Sequence, residues 1–138
     1  MENIVKSALK LAGNKYAFVG SLSENNMPNI KSMLVTKRVG IKTYYFVSNN
    51  SAMRTKQFKD NNNACLYFIG KIFQRELMLE GTMEILDDIE NKKLIWKGEF
   101  EKKYRNGGIN DPDLCILKFT AINVRYYNNK ITEIIEIK

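Results

Sequence analysis

The side chains best suited to chemistry lie at residues 43–58, in the segment TYYFVSNNSAMRTKQF. Ser48 and Ser51 supply hydroxyl groups, and Arg54 and Lys56 supply positive charge just after them. The apolar start predicts a strand, the polar middle predicts a turn with helix-capping residues, and the remainder predicts a short helix. Because a helix N-terminus also presents free backbone N–H groups, we predict that this corner binds a phosphate. The alternative is an ordinary strand–turn–helix with a solvated basic face.

Positive charge is concentrated in the first half of the chain. The net charge is +7, and residues 1–59 contain ten Lys or Arg residues against Glu2 and Glu24, so they carry +8 and the remainder carries −1. Such an asymmetry indicates an anionic partner: a nucleic acid, a membrane surface or a small phosphorylated ligand. Charge alone does not distinguish these three.

The composition excludes several classes of site. The chain contains no histidine, which excludes a Ser-His-Asp triad, a histidine zinc site and a histidine-ligated haem. Cys65 and Cys115 each lie inside an apolar run and form no CxxC pair, so we predict buried structural thiols and no metal site.

The length of 138 residues predicts one domain, residues 1–138. The amphipathic, charged N-terminal segment does not resemble a signal peptide, and no apolar run approaches membrane length. We therefore expect a cytoplasmic protein without a membrane partner.

The elements that must position the basic corner are mostly strands. Alternation in residues 29–37 places Lys31, Met33 and Val35 on one face, so Lys31 can point towards a ligand. Gly81 predicts a bulge in a long strand, and Asp87 or Asp88 predicts a helix cap. Helices are predicted at residues 3–12, after the turn at residues 48–51 and ending near residues 60–62, through 94–96 and at 99–104. Strands are predicted at residues 16–22, 29–37, 44–47, 64–69, 73–86, 114–120, 122–127 and 131–137. This pattern predicts a mainly β protein, an antiparallel barrel with flanking short helices.

Several segments, in their order and spacing, resemble the pyridoxamine 5′-phosphate oxidase-like, FMN-binding split-barrel family, within it the general-stress-protein-like and nitroimidazole-resistance-like branches. They are VGSLSENNMPNIKSM, YYFVSNNSAMRTKQF, LMLEGTMEIL and the tail from WKGEF to NDPDLCILKF. The resemblance implies a six-stranded antiparallel split barrel. It also implies a homodimer that binds FMN at the subunit interface, because one barrel supplies only half of the pocket.

The resemblance also implies which residues bind the cofactor. Lys31 and Arg54 match cations that meet the FMN phosphate, and Ser48 matches a Thr or Ser that hydrogen-bonds the cofactor. The backbone of the strand after Lys31 borders the flavin ring, where amide groups can recognise its donors and acceptors. The implied cofactor-binding residues are Lys31, Met33, Leu34, Val35, Thr36, Ser48, Ser51, Arg54 and Glu76.

Three positions depart from the pattern of the vitamin B6 oxidases. Thr36 stands where those enzymes carry a Lys, Met53 replaces a second basic residue, and Glu76 aligns with a Gln that the partner subunit supplies. A carboxylate near the flavin opposes the anionic reduced ring unless it is protonated or faces elsewhere. The C-terminal segment that grips the phosphorylated substrate is also absent, so we do not expect true pyridoxine phosphate oxidase activity.

The leading hypothesis is an FMN-dependent oxidoreductase that takes electrons from NAD(P)H and reduces a small acceptor such as a nitro compound or a quinone. No side chain is assigned a catalytic role. Tyr16, Tyr67, Trp96 and Tyr104 are candidates for stacking near the open face of the ring, and each also suits core or interface packing.

Two alternatives stay open. The first is a non-enzymatic module that binds a flavin, a deazaflavin or a haem, the last with Cys65, Cys115, a Met or a Tyr as ligand. The second, less expected, is a basic barrel that binds nucleic acid. It would stack bases on residues 44–46 beside the cations Lys37, Arg38, Lys42 and Arg54.

Overall fold

The structure, a computed structural model, describes residues 3–71, 74–129 and 131–137. Within them lie eight strands of one sheet, three α-helices and two 3₁₀ helices. The helices are α1 (Ile4–Ala12), α2 (Met53–Asp60), α3 (Ile89–Ile95) and the 3₁₀ helices Gly98–Lys102 and Gly108–Asn110. The strands are β1 (Tyr16–Leu22), β2 (Pro28–Leu34), β3 (Lys37–Val39), β4 (Thr43–Asn49), β5 (Asn63–Ile69), β6 (Arg75–Leu86), β7 (Leu114–Asn128) and β8 (Ile131–Ile135).

The sheet is antiparallel throughout and curls into a half-barrel. Its strand order is β2-β1-β5-β6-β7-β4-β3, with β8 added beside β7. The two ends of this order are consecutive in the chain, since Val35 and Thr36 alone separate β2 from β3. The Thr36 N–H donates to the Tyr45 carbonyl at 2.8 Å, so the chain passes directly from one edge to the other. The predicted mainly β barrel is confirmed.

The number of strands differs from the expected six. The described part of the chain has eight, because the short β3 forms its own pairing with β4 and because β8 pairs with the far end of β7. The predicted strand at residues 29–37 is therefore two strands. It ends at Leu34 because Thr36 turns to bond with Tyr45 instead of continuing beside β1.

Strand β7 runs unbroken where two strands were expected, at residues 114–120 and 122–127. The predicted bulge is confirmed: the β6–β7 register shifts between Glu80 and Gly81, so the pair bends without ending. A Cβ atom at Gly81 would collide with the Thr120 carbonyl, which requires glycine at this close approach.

Aromatic side chains fill the barrel. The Tyr44 ring centroid lies 5.9 Å from that of Phe68 and 6.1 Å from that of Phe119. Tyr44 and Phe46 are 0% exposed and Tyr45 is 8% exposed. Side chains this deeply buried cannot stack on bases, so the stacking platform of the nucleic-acid alternative was wrong.

Short helices cover the ends of the barrel. Asn3 caps α1, and Asp88 caps α3 as predicted, accepting from the Asn91 N–H at 3.1 Å. Hydrogen bonds from Asn91 also lower the pKa of the Asp88 carboxyl. Among the described residues, no helix is long and apolar enough to cross a membrane. The expected strand start at Phe73 lies outside the described residues, and β8 ends at Ile135 rather than at residue 137.

Candidate functional site

Helix α2 is held against the barrel by two buried residues. Phe58 is 2% exposed and joins the core, and Thr55 is 0% exposed. The Thr55 hydroxyl donates to the Asn49 carbonyl at 2.7 Å, which fixes the first turn of the helix to the end of β4. The N-cap residue is Ala52, which has no side-chain cap, so the capping role predicted for residues 48–51 was wrong. This attachment directs the neighbouring face of α2 towards β1 and β2.

A small cleft of about 160 Å³ lies between α2 and strands β1 and β2. Lys31 and Arg54, the two predicted phosphate-binding cations, both line it. Its other lining residues are neutral, and no carboxylate lines the cleft in the part of the chain that the structure describes. Two cations without a compensating anion favour the binding of an anion. The uncharged polar lining residues are Ser21, Asn29 and Gln57.

Arg54 has an unsatisfied polar atom. Its Nε is buried and has no hydrogen-bond partner within residues 3–71, 74–129 and 131–137. A buried donor without a partner costs about 1–3 kcal/mol, and more when the group is charged. An acceptor brought by a ligand would remove this penalty. Lys31 is exposed, so its side chain can adjust to whatever binds beside Arg54.

The two serines of the predicted phosphate corner are bonded within the protein. The Ser51 Oγ donates to Asp113 Oδ2 at 2.8 Å, and the Ser51 N–H donates to Asp113 Oδ1 at 2.9 Å. The Ser48 Oγ lies 3.3 Å from Thr55 Oγ1. Since Thr55 gives its own proton to Asn49, Ser48 is the donor of that pair. Neither serine therefore has a proton free for a phosphate, and contact of either with a cofactor stays a prediction.

The strand residues named with Lys31 occupy different environments. Met33 is 6% exposed and belongs to the core, whereas Leu34 and Val35 are half-buried. The Thr36 hydroxyl donates to the Tyr45 carbonyl at 3.0 Å. Lys56 is exposed and does not line the cleft, so it does not join Arg54 there.

Glu76 lies away from the cleft, on the outer face of the sheet. It alternates with the buried Leu77 in β6, so its side chain points away from the core. The Tyr67 hydroxyl donates to the Glu76 carboxylate, and burial together with this bond raises the pKa of Tyr67. Within one subunit, Lys31 and Arg54 therefore line the same cleft, and Glu76 lies outside it.

The outer face around Glu76 exposes apolar and aromatic side chains. Tyr16 is 55% exposed, Phe18 is 40% exposed and Ile30 is 72% exposed. A shallow cavity of about 730 Å³ lies on this face, with Ile30, Cys65 and Met78 in its lining. Exposed apolar surface of this kind is typical of interaction sites.

The four candidate stacking residues separate into two groups. Tyr16 and Tyr67 lie on the outer face, whereas Tyr104 is 8% exposed and packs with Trp96 and Phe100. The Tyr104 hydroxyl donates to the Ser48 carbonyl at 3.2 Å, and burial raises its pKa to about 12. Tyr104 therefore stabilises the end of β4 through its bond to Ser48, and Trp96 packs against Tyr104.

The cysteines are free thiols. Cys115 is fully buried as predicted, and burial raises its pKa to about 11. Cys65 is only half-buried, and burial raises its pKa as well. No group of three or more possible metal ligands occurs within the described ranges.

Gln57 and Ser21 were not identified from the sequence, although both line the cleft. The Ser21 hydroxyl donates to Gln57 Oε1 at 2.5 Å. Gln57 follows Arg54 by three residues, a spacing that places two side chains on the same helix face. That spacing was the available signal, and it became informative only once the partner strand was known.

Comparison with known proteins identifies the family of the chain. A family model described as pyridoxamine 5′-phosphate oxidase like matches residues 3–138. No curated protein sequence matches the chain.

Solved structures with this fold come from several bacteria. A Clostridium acetobutylicum protein related to general stress protein 26 of B. subtilis, of the pyridoxinephosphate oxidase family, is 35% identical, with a TM-score of 0.86 over 99% of this chain and 96% of its own. A heme binding protein from Mycobacterium smegmatis is 12% identical, with a TM-score of 0.76 over 98% of this chain and 58% of its own. A NimC/NimA family protein from Clostridium acetobutylicum is 18% identical, with a TM-score of 0.71 over 97% of this chain and 94% of its own. The last two likenesses concern the fold alone, whereas the family model and the first structure carry the assignment: the chain belongs to the pyridoxamine 5′-phosphate oxidase-like family.

Proposed function

We propose that this protein binds FMN through its phosphate group, which occupies the cleft between α2 and strands β1 and β2. The observation that supports this most directly is Arg54, whose buried Nε has no partner in a cleft shared with Lys31. A phosphate oxygen is the acceptor that Arg geometry suits best. The remaining sequence-predicted contacts, from Met33 to Thr36 and at Ser48, Ser51 and Glu76, belong to the same proposal. Of these, Ser48 and Ser51 would have to leave their present partners, Thr55 and Asp113, to donate to the cofactor.

The size of the cleft indicates how the rest of FMN is held. At about 160 Å³ it is smaller than the roughly 300–1,000 Å³ of sites that enclose a whole small molecule. The cleft is therefore large enough for the phosphate alone, and other residues must enclose the flavin ring. The exposed outer face that includes Phe18 and Ile30 supports a homodimer, in which a second copy covers the ring and brings its own Glu76.

We further propose that the dimer is an FMN-dependent oxidoreductase, with NAD(P)H as electron donor and a small nitro compound or quinone as acceptor. FMN, when bound, supplies the hydride chemistry that the side chains lack. The chain binds the phosphate, positions the ring and excludes water from it. The two unpaired thiols suit the cytoplasm, where cysteines stay reduced.

The energetics are sufficient for such a site. Micromolar affinity corresponds to about −8 kcal/mol. Two charge-assisted phosphate contacts contribute roughly 1.5–3 kcal/mol each, which leaves about 2–5 kcal/mol for burial of the ring. That remainder needs only partial burial of the ring between two subunits.

The test is titration of the purified protein with FMN and with riboflavin, which lacks the phosphate, followed by addition of NADH or NADPH. We expect FMN to bind more tightly by at least about tenfold, and the bound flavin to lose its visible absorbance when the nicotinamide is added. Lys31→Met should weaken FMN binding and leave riboflavin binding unchanged, whereas Lys59→Met, on the exposed side of α2, should change neither.

The outcomes separate the parts of the proposal. Equal affinity for FMN and riboflavin would exclude the phosphate site. Tight FMN binding without reduction by either nicotinamide would leave a flavin-binding module and exclude the proposed electron donor. A monomer that binds FMN fully would exclude the shared site, and sedimentation of the loaded protein measures this.

A further inference from the structure

We propose that Gln57 is a third ligand of the phosphate and that Ser21 positions it. This inference rests on the proposed function and deepens it, because it names the residues that distinguish a phosphorylated flavin from an unphosphorylated one. Both residues line the cleft that Lys31 and Arg54 share.

The placement of Gln57 follows from the attachment of α2. Thr55 and Phe58 are the buried residues of this helix, so Arg54 and Gln57 lie together on the adjoining face. Gln57 is half-buried and lies in the lining of the cleft. Its position is therefore fixed by the same contacts that fix Arg54.

The hydrogen bond with Ser21 determines which end of the amide faces a ligand. Ser21 is 8% exposed, and a hydroxyl buried to this extent needs an acceptor. It donates to Gln57 Oε1 at 2.5 Å. The carboxamide oxygen is thereby occupied, and the NH₂ group, with its two donors, is the part of Gln57 left for a ligand.

The orientation matters because the oxygen and nitrogen of an amide have opposite effects on an anion. A phosphate accepts hydrogen bonds from N–H groups and is repelled by a carbonyl oxygen. Ser21 holds the oxygen away from the phosphate position, so the site offers donors from three side chains, of which two are charged and one is neutral. Ser21 does not touch the ligand in this arrangement and acts only through Gln57.

A merely structural role for Gln57 is distinguishable from ligand contact. Loss of a phosphate contact weakens FMN binding and leaves riboflavin binding unchanged, whereas a distorted helix weakens both. The ratio of the two dissociation constants is therefore the readout, and it does not depend on turnover or on reduction of the flavin.

The experiment compares Gln57→Met, Gln57→Glu and Ser21→Ala with the control Lys56→Gln, which removes a cation from the exposed side of the same helix. We expect Gln57→Met to weaken FMN binding about five- to tenfold, as the loss of one hydrogen bond from an uncharged donor does. Gln57→Glu places a negative charge beside the phosphate, so it should weaken FMN binding more than Gln57→Met does. Ser21→Ala should weaken it about threefold, and Lys56→Gln by less than about twofold. Riboflavin binding should stay constant in all four.

Equal weakening of FMN and riboflavin by Gln57→Met, or no change in either, would overturn the inference. Gln57→Glu that binds FMN as tightly as the unaltered protein would also overturn it, since a carboxylate cannot replace the donor. In both cases the FMN proposal stands as long as the unaltered protein prefers FMN to riboflavin. If the unaltered protein instead binds FMN and riboflavin equally well, both the phosphate site and the role of Gln57 are excluded.

Discussion

Helix α2 has two polar sides that differ in how completely their hydrogen bonds are made. On the side facing β4 and β7, Ser48, Thr55 and Tyr104 bond to one another or to the backbone. On the side facing β1 and β2, Arg54 Nε is buried without a partner and Lys31 is exposed beside it. The first side, where these three side chains are bonded, holds the fold together, and we call it the satisfied side. The second side, with Arg54 and Lys31, has donors available for a ligand, and we call it the unsatisfied side.

The difference has a physical cause. Hydroxyl groups are short, so when buried they must find partners in the surrounding backbone, which a strand end supplies. A guanidinium has five donors on a long side chain, and one cleft rarely satisfies them all. Satisfied groups contribute stability without a ligand, whereas an unsatisfied one contributes only when an acceptor arrives. The two sides of α2 should therefore respond differently to substitution.

The largest effect is expected for Arg54→Met, on the unsatisfied side. FMN affinity should fall by about 1.5–3 kcal/mol, because a charge-assisted contact is lost. Stability without FMN should hold or rise slightly, since methionine keeps the packing of the side chain and removes a buried unpaired donor. Titration with FMN and chemical unfolding of the flavin-free protein measure the two quantities. A large loss of stability with FMN affinity intact would reverse the roles of the two sides.

Thr55→Val tests the satisfied side and should have the opposite signature. The free energy of unfolding should fall by about 1–3 kcal/mol, because the buried hydroxyl bonds both Asn49 and Ser48. FMN affinity of the folded variant should change by less than about threefold. The double variant with Ser48→Ala should lose less than the sum of the single variants, since it leaves no buried donor unpaired. Additive losses would mean that Ser48 and Thr55 do not share a bond.

The pH dependence of the free energy of unfolding measures whether water reaches the buried thiol of Cys115 on the satisfied side. Cys115 lies opposite Ser48 in the β4–β7 pairing, and burial raises its pKa from 9.0 to about 11. The folded protein therefore holds this proton more tightly than the unfolded chain does. The contribution is fully present below pH 9.0 and is lost as the pH rises to about 11.

We expect unfolding in a reducing buffer to show a loss of about 1–2 kcal/mol between those pH values from this thiol. Cys115→Ala should be less stable at neutral pH, because it leaves a cavity, but should lose less on going to alkaline pH. Cys65→Ala removes the half-buried thiol of the outer face, and it should reduce the alkaline loss of stability less than Cys115→Ala does. Parallel pH curves for the unaltered protein and Cys115→Ala would show that water reaches the thiol.

The fold was accessible from sequence where a local rule applied. The strand predicted at residues 16–22 has the bounds of β1, the bulge predicted at Gly81 is present, and Asp88 caps α3 as predicted. The end of β2 was missed, because it depends on a bond from Thr36 to a strand that lies later in the chain. Local patterns do not contain such non-local partners.

The same limit applied to the site. Charge and spacing brought forward Lys31 and Arg54, which the fold places in one cleft. The partners of the serine hydroxyls were not accessible, since Asp113 lies 62 positions beyond Ser51. Nor was Gln57, whose significance depends on Ser21 in another strand. The sequence was therefore enough to identify the two cations of the cleft. Which neutral side chains still have a donor for a ligand depends on the tertiary fold.

The smallest effect is expected for Ser51→Ala, where the family resemblance and the geometry disagree. The resemblance implies contact with the cofactor, whereas the hydroxyl proton already goes to Asp113. Because this bond is exposed, its loss should reduce stability by only about 0.5 kcal/mol. FMN affinity should change by less than about twofold, and Asp113→Ala, which also breaks the bond, should behave alike. A tenfold loss of FMN affinity in Ser51→Ala alone would mean that the serine leaves Asp113 when the cofactor binds, and that a hydroxyl already bonded within the protein also takes part in recognition.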